Sequence, residues 1–143
     1  MRIQLLFLGK TKRAEIRALL DDYASRIRHF TPIEIRELRE DSPTMLRKLE
    51  IPDGALVVLL DAAGKEYDSE HFARWLGGCR ERGVREVVFL AGGASGFPES
   101  LSARATARIS LSSLTFSHEL ARVMLVEQLY RAFTMLAGHP YAK

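Results

Sequence analysis

The sequence contains one cysteine, Cys79, in 143 residues, so no disulfide can form within the chain and a reduced, cytoplasmic protein is the expectation. No apolar stretch approaches the ~20 residues that span a bilayer, so no membrane partner is expected. The opening MRIQLLFLG has one basic residue and a short apolar run without a small-residue cleavage pattern, and it reads as a strand. Metal ligands are not clustered. His29, His71, His118 and His139 are scattered and Cys79 stands alone, so no metal is expected. The Walker spacing and the G-x-G-x-x-G fingerprint are both missing. From Ser100 through His118 there is no Asp or Glu to hold a nicotinamide ribose, which argues against dinucleotide binding. Charge of one sign is never gathered into a block of about five or more.

What is present suffices for one compact unit spanning residues 1–143, since 47% of the residues are hydrophobic. The net charge is +3, and 16 of the 21 basic residues are arginine, whose planar fork suits phosphate. That composition fits either a solvated basic surface or an anionic partner.

Apolar, β-branched runs recur at 2–9, 32–38, 55–60, 86–92 and 107–112, separated by helix-like sequence. The alternation predicts an α/β fold, a mostly parallel sheet flanked by helices. ALVVLL and EVVFL are apolar without alternation, as interior strands covered on both faces are, whereas PIEIREL alternates and belongs nearer an edge. Residues 12–29 carry Ile16, Leu19, Leu20, Tyr23 and Ile27 at helical spacing. A short helix is expected at 43–49, and another, capped by Ser69, runs to about Arg82. Pro98 suits the first turn of a further helix. The last helix starts near Ser117. It shows one apolar stripe of Ala121, Leu125, Leu129, Ala132 and Leu136 and a second of Val126, Tyr130 and Phe133. Two apolar sides need two surfaces, which points to the sheet and a second subunit.

Three strand ends converge on one candidate pocket: residues 60–64, 92–96 and 111–116. Their small side chains and backbone amides suit a flat heterocycle such as adenine, although ordinary tight turns would look the same singly. A serine nucleophile at Ser95 is disfavoured, because Phe97 replaces the last glycine of the elbow and Asp61 precedes the serine.

These segments, with the start ending Gly9-Lys10, Tyr23 with Arg26, DAAGKEYDSEHFA, FLAGGASGF, SLSSLTFSHELAR, EQLYRA and HPY, resemble the RlmH (YbeA) family within the SPOUT superfamily of knotted methyltransferases. The resemblance covers the whole chain. It implies a C-terminal trefoil knot and a homodimeric enzyme with no separate RNA-binding domain. It further implies transfer of a methyl group from S-adenosylmethionine to N3 of a pseudouridine in helix 69 of large-subunit ribosomal RNA, on assembled ribosomes. The family's cofactor contacts fall on Leu60, Gly92, Leu111, Ser112, Ser113, Leu114, Thr115 and Phe116. Two departures stand out: Ala142 occupies the place of a tail histidine, leaving His139, Tyr141 and Lys143 to meet the substrate, and the segment from about Arg39 to Pro52 is short.

Methyl transfer to an imide nitrogen needs alignment, a proton acceptor and stabilised negative charge. His118 and Arg122, one helical turn apart beside the cofactor segment, are the candidates. His118 orients substrate or accepts a proton, or else merely ties the helix start. Arg122 stabilises charge or holds phosphate, or else pairs with Glu119 or Glu127. A non-enzymatic ribosome-associated dimer is the competing reading.

Overall fold

The computed structural model describes residues 1–39, 49–93 and 96–141. The helix expected at 43–49 falls almost entirely outside them, as do Ser95, Ala142 and Lys143.

Five strands form one parallel sheet among the described residues: β1 (Arg2–Leu8), β2 (Ile33–Leu38), β3 (Leu56–Glu66), β4 (Glu86–Ala91) and β5 (Ala107–Ser110), in the order β2-β1-β4-β3-β5. The alternating β2 lies at one edge. The unbroken apolar strands β1 and β4 lie inside and are buried along nearly their whole length, as expected where both faces are covered.

Helix α1 (Ala14–Ile27) buries Ile16, Leu20, Ala24 and Ile27, a stripe at four- and three-residue steps. Leu19, expected on that face, is 42% exposed. Helix α2 (Ser69–Glu81) is capped by Asp68, whose carboxylate accepts from the His71 amide. Ser69, expected to cap, is the first helical residue; its hydroxyl donates to Gln128 Oε1 at 2.7 Å. Gly83, with φ +83°, follows the end of α2. Pro98 precedes the four-residue α3 (Glu99–Ser102). Helix α4 (His118–Leu136) is capped by Ser117, which accepts from the Leu120 amide.

The three long helices share one face of the sheet. Ile3, Leu5, Phe7, Val58, Val87 and Phe89 pack there against the buried sides of α1, α2 and α4. The other face holds a smaller cluster, in which Leu6, Leu8, Leu59 and Leu90 meet Leu49 and Leu101. This arrangement corrects the expectation for the second stripe of α4. Val126 and Phe133 are buried by the chain itself, and Tyr130 packs against Tyr23 and Phe30. The side of α4 left outward carries Leu120, Met124 and Met135, each 41–47% exposed.

Candidate active site

Because every strand pair is parallel, the carboxyl ends of β1, β4, β3 and β5 lie along one edge of the sheet, where open α/β folds place ligands. Strand β3 meets Ile109 twice, through Leu60 and again through Lys65, so residues 61–64 bulge from the ladder. Gly64 permits this. A Cβ there would lie 2.7 Å from the Arg108 carbonyl carbon and the Ile109 nitrogen.

The bulge opens a cavity of about 450 Å³, walled by Leu60, Asp61, Gly92, Phe97, Arg108 and His118. The size falls within the roughly 300–1,000 Å³ of small-molecule sites. At Gly92 an added Cβ would come to 3.2 Å from Gly96 O and from the Phe97 ring, a tight contact that one of these neighbours would have to relieve by a few tenths of an ångström. Asp61 accepts from the Ala63 amide at 3.0 Å and from Arg108 at 2.7 Å. The Ala63 amide first, then the Arg108 guanidinium, hold its carboxyl below the ordinary value against a small opposing effect of burial. A second cavity of about 290 Å³ lies on the other side of Leu60, with Tyr67, Phe72, Phe89, Leu111 and Leu125 in its walls and Gln128 as a polar group.

The sequence-derived candidates are distributed unevenly around these spaces. Leu60 lines both cavities, Gly92 and His118 the larger, and Leu111 the smaller. The 111–116 loop closes on itself: Ser112 Oγ accepts from the Leu114 amide at 3.0 Å, and its carbonyl accepts from Ser110 Oγ at 2.9 Å. Ser113, Leu114 and Thr115 are exposed, and Phe116 is half-buried.

Arg122, a candidate for contact with the reacting groups, is fully buried. Its guanidinium donates to Leu8 O at 2.7 Å and to Thr11 Oγ1 at 2.9 Å, and stands 4.9 Å from the Phe7 ring centroid. It braces the wall from behind. Glu119 receives the amides of Lys12 and Arg13, both at 3.1 Å. The Arg13 amide is the main cause of a carboxyl held below its ordinary value; burial opposes it, and the Lys12 amide and the charges of His118 and Arg122 assist. Glu127 pairs with Arg131 at 2.7 Å, the i,i+4 bridge its spacing predicts.

His139 and Tyr141 lie at the other end of α4. His139 meets Phe30 edge-on, and Tyr141 packs on Tyr130 with Arg131 over its ring. Burial, then a hydrogen bond with Tyr23, pushes the Tyr141 phenol upward. From His118 to Leu136 the helix rises about 27 Å at ~1.5 Å per residue. Tyr141 folds back onto Tyr130, about 18 Å along the helix from His118, so the tail does not line the larger cavity. Thr11, and the bonds of Glu119 to the β1–α1 loop in place of the expected pairing with Arg122, were missed in the sequence, because their partners are more than a hundred residues away and leave no local spacing.

Residues 1–142 match the family model described as predicted SPOUT methyltransferase, and the chain belongs to this family. Among similar proteins is the ribosomal RNA large subunit methyltransferase H of Geobacter metallireducens, 43% identical over 99% of this chain and 98% of its own length. The protein of the same name from Sorangium cellulosum is 43% identical over 99% of each chain. In fold, the chain is similar to a solved structure of a probable methylase family protein from Haemophilus influenzae, with a TM-score of 0.57 and 10% identity, over 99% of this chain and 70% of that one.

Proposed function

We propose that the protein methylates large-subunit ribosomal RNA with S-adenosylmethionine, and that its target is N3 of a pseudouridine in helix 69 on assembled ribosomes. The observation that carries the reading is the meeting of three strand ends around Leu60, Gly92 and Leu111, at the edge where the family's cofactor segments fall. The paired spaces support it: both join apolar walls to polar groups, the smaller with Tyr67, Phe72 and Phe89 beside Asp68 and Gln128, the larger with Phe97 beside Asp61, Arg108 and His118, which suits a cofactor that joins a flat nucleoside to a charged amino-acid end. Leu60, Gly92 and residues 111–116 would hold that cofactor, which supplies an electrophilic methyl group when bound.

The chain's own work is alignment and proton handling. His118 is the residue at the cavity with a ring nitrogen able to orient the base or accept its proton. Arg122 is a positioning residue, since its burial keeps it from the reacting atoms. His139 and Tyr141 meet substrate in the partner's site, not their own. The separation of the tail from His118 along α4 fits a two-fold dimer, and the outward Leu120, Met124 and Met135 supply an apolar line for it.

Methylation of unmodified bacterial ribosomes, read by mass spectrometry of the RNA, tests the proposal. Expected are one added methyl group at the pseudouridine and micromolar-range binding of S-adenosylmethionine. Ribosome binding with no measurable S-adenosylmethionine binding and no methylated RNA would instead favour a non-enzymatic ribosome-bound dimer.

A further inference from the structure

We infer that the loop joining β1 to α1, through Lys10 and Lys12, grips the phosphate backbone of the RNA at the mouth of the active site; the inference rests on the methyltransferase reading above. The parallel pairing of β1 with β4 sets Phe7 beside Ala91, so the loop that leaves β1 at Gly9 emerges next to the Gly92 loop and on the same sheet edge as the cavity. Gly9, with φ +87°, turns the chain there, and its amide donates to Leu38 O.

The loop is held from both sides by the first turns of α4. Glu119 receives the Lys12 and Arg13 amides, and Arg122 reaches Leu8 O and the buried Thr11 hydroxyl. His118, adjacent to Glu119, lines the cavity. The lysines thus stand on a loop fixed by Glu119, the residue that follows the cavity-lining His118 in α4.

These lysines differ from the surrounding arginines in their partners. Arg13 pairs with Glu15 at 2.7 Å and Arg17 with Glu37 at 3.3 Å, while Arg122 is buried and donates to Leu8 O and Thr11 Oγ1. Lys10 and Lys12 are exposed and form no ion pair among the described residues. Their charges also sit just before α1, where the helix dipole disfavours cations. The amides at that point are already taken by Glu119, so an incoming anion is met by the two ammonium groups. Polyanionic RNA relieves this local excess and gains from release of its counterions.

The test measures binding of unmodified ribosomes by the wild type and by Lys10→Gln/Lys12→Gln across a salt series. Each lost phosphate contact lowers the slope of log affinity against log salt by about 0.7–0.9. The double variant is expected to lose more than one unit of slope and about tenfold or more in affinity at low salt. Its S-adenosylmethionine isotherm and melting temperature should match the wild type, and Lys10→Arg/Lys12→Arg should bind ribosomes normally. An unchanged slope in the Gln variant overturns the assignment of the loop alone. If the wild type binds cofactor but no ribosome, the underlying RNA reading falls as well.

Discussion

Replacing Arg122 with Ala distinguishes a brace from a catalytic group. The substitution removes two hydrogen bonds from a charged donor, to Leu8 O at 2.7 Å and Thr11 Oγ1 at 2.9 Å, together with the contact on the Phe7 ring. Both acceptors lie in the interior, since Leu8 is 2% and Thr11 3% exposed, so water cannot readily replace the lost donor. Hydrogen bonds from charged groups contribute roughly 1.5–3 kcal/mol each, and breaking a buried charged network costs about 3–5 kcal/mol in total. For a domain near this size, 1 kcal/mol moves the melting temperature by ~2–4 °C, so a fall of roughly 6–20 °C is expected. Circular dichroism melts at fixed protein concentration measure it, because association would otherwise shift the midpoint. Arg122→Lys keeps the charge without the planar fork and should fall between the two. Below the melting point, Arg122→Ala should retain part of its cofactor affinity. An Arg122→Ala protein that melts within ~2 °C of wild type yet transfers no methyl groups would refute the argument and return Arg122 to the reacting groups.

The glycine positions give a contrasting pair. Gly64→Ala forces Cβ against the β5 backbone at 2.7 Å and should destabilise the fold by about 1–3 kcal/mol, seen as a lower urea midpoint. Gly92→Ala meets Gly96 O and Phe97 at 3.2 Å beside the cavity, so it should weaken S-adenosylmethionine binding in calorimetry more than it lowers the melting temperature. Glu119 gives a pH signature. Its folded pKa lies below the ordinary 4.5, so its stabilisation is present above that pH and is lost as pH falls through the folded value. Urea midpoints of Glu119→Gln should therefore decline less than those of wild type between about pH 5 and 3, and parallel curves would discount the carboxylate. His118→Ala should lower the methylation rate while leaving cofactor affinity and melting temperature close to wild type; normal turnover would remove His118 from the chemistry.

The strands were legible because burial leaves a direct imprint on composition. Apolar runs marked β1, β3 and β4, and the alternation of PIEIREL placed β2 at an edge. The packing of α4 was less legible. Its two apolar stripes require two covering surfaces, but periodicity does not say whether those belong to one chain or two. Here α1 and α2 flank α4 on the same face of the sheet, so Val126 and Phe133 are buried without a partner. The misplaced cap at Ser69 has a simple cause: Asp68 and Ser69 are both capping residues, and the carboxylate at 68 reaches the His71 amide at 2.8 Å.

The start of α4 explains why the site was harder to read than the fold. Neighbours in a helix point about 100° apart, so His118 and Glu119 serve different surfaces although they adjoin in sequence. His118 borders the cavity, Glu119 fixes the β1–α1 loop, and Arg122, three and four residues on, passes beneath both. A motif such as HELAR therefore combines a candidate reacting group with two residues that hold its surroundings. Activity alone would class all three together, since displacing the loop or the wall also misaligns the substrate. Their distinction lies in what else changes: stability for Arg122, the acid limb of stability for Glu119, and turnover alone for His118.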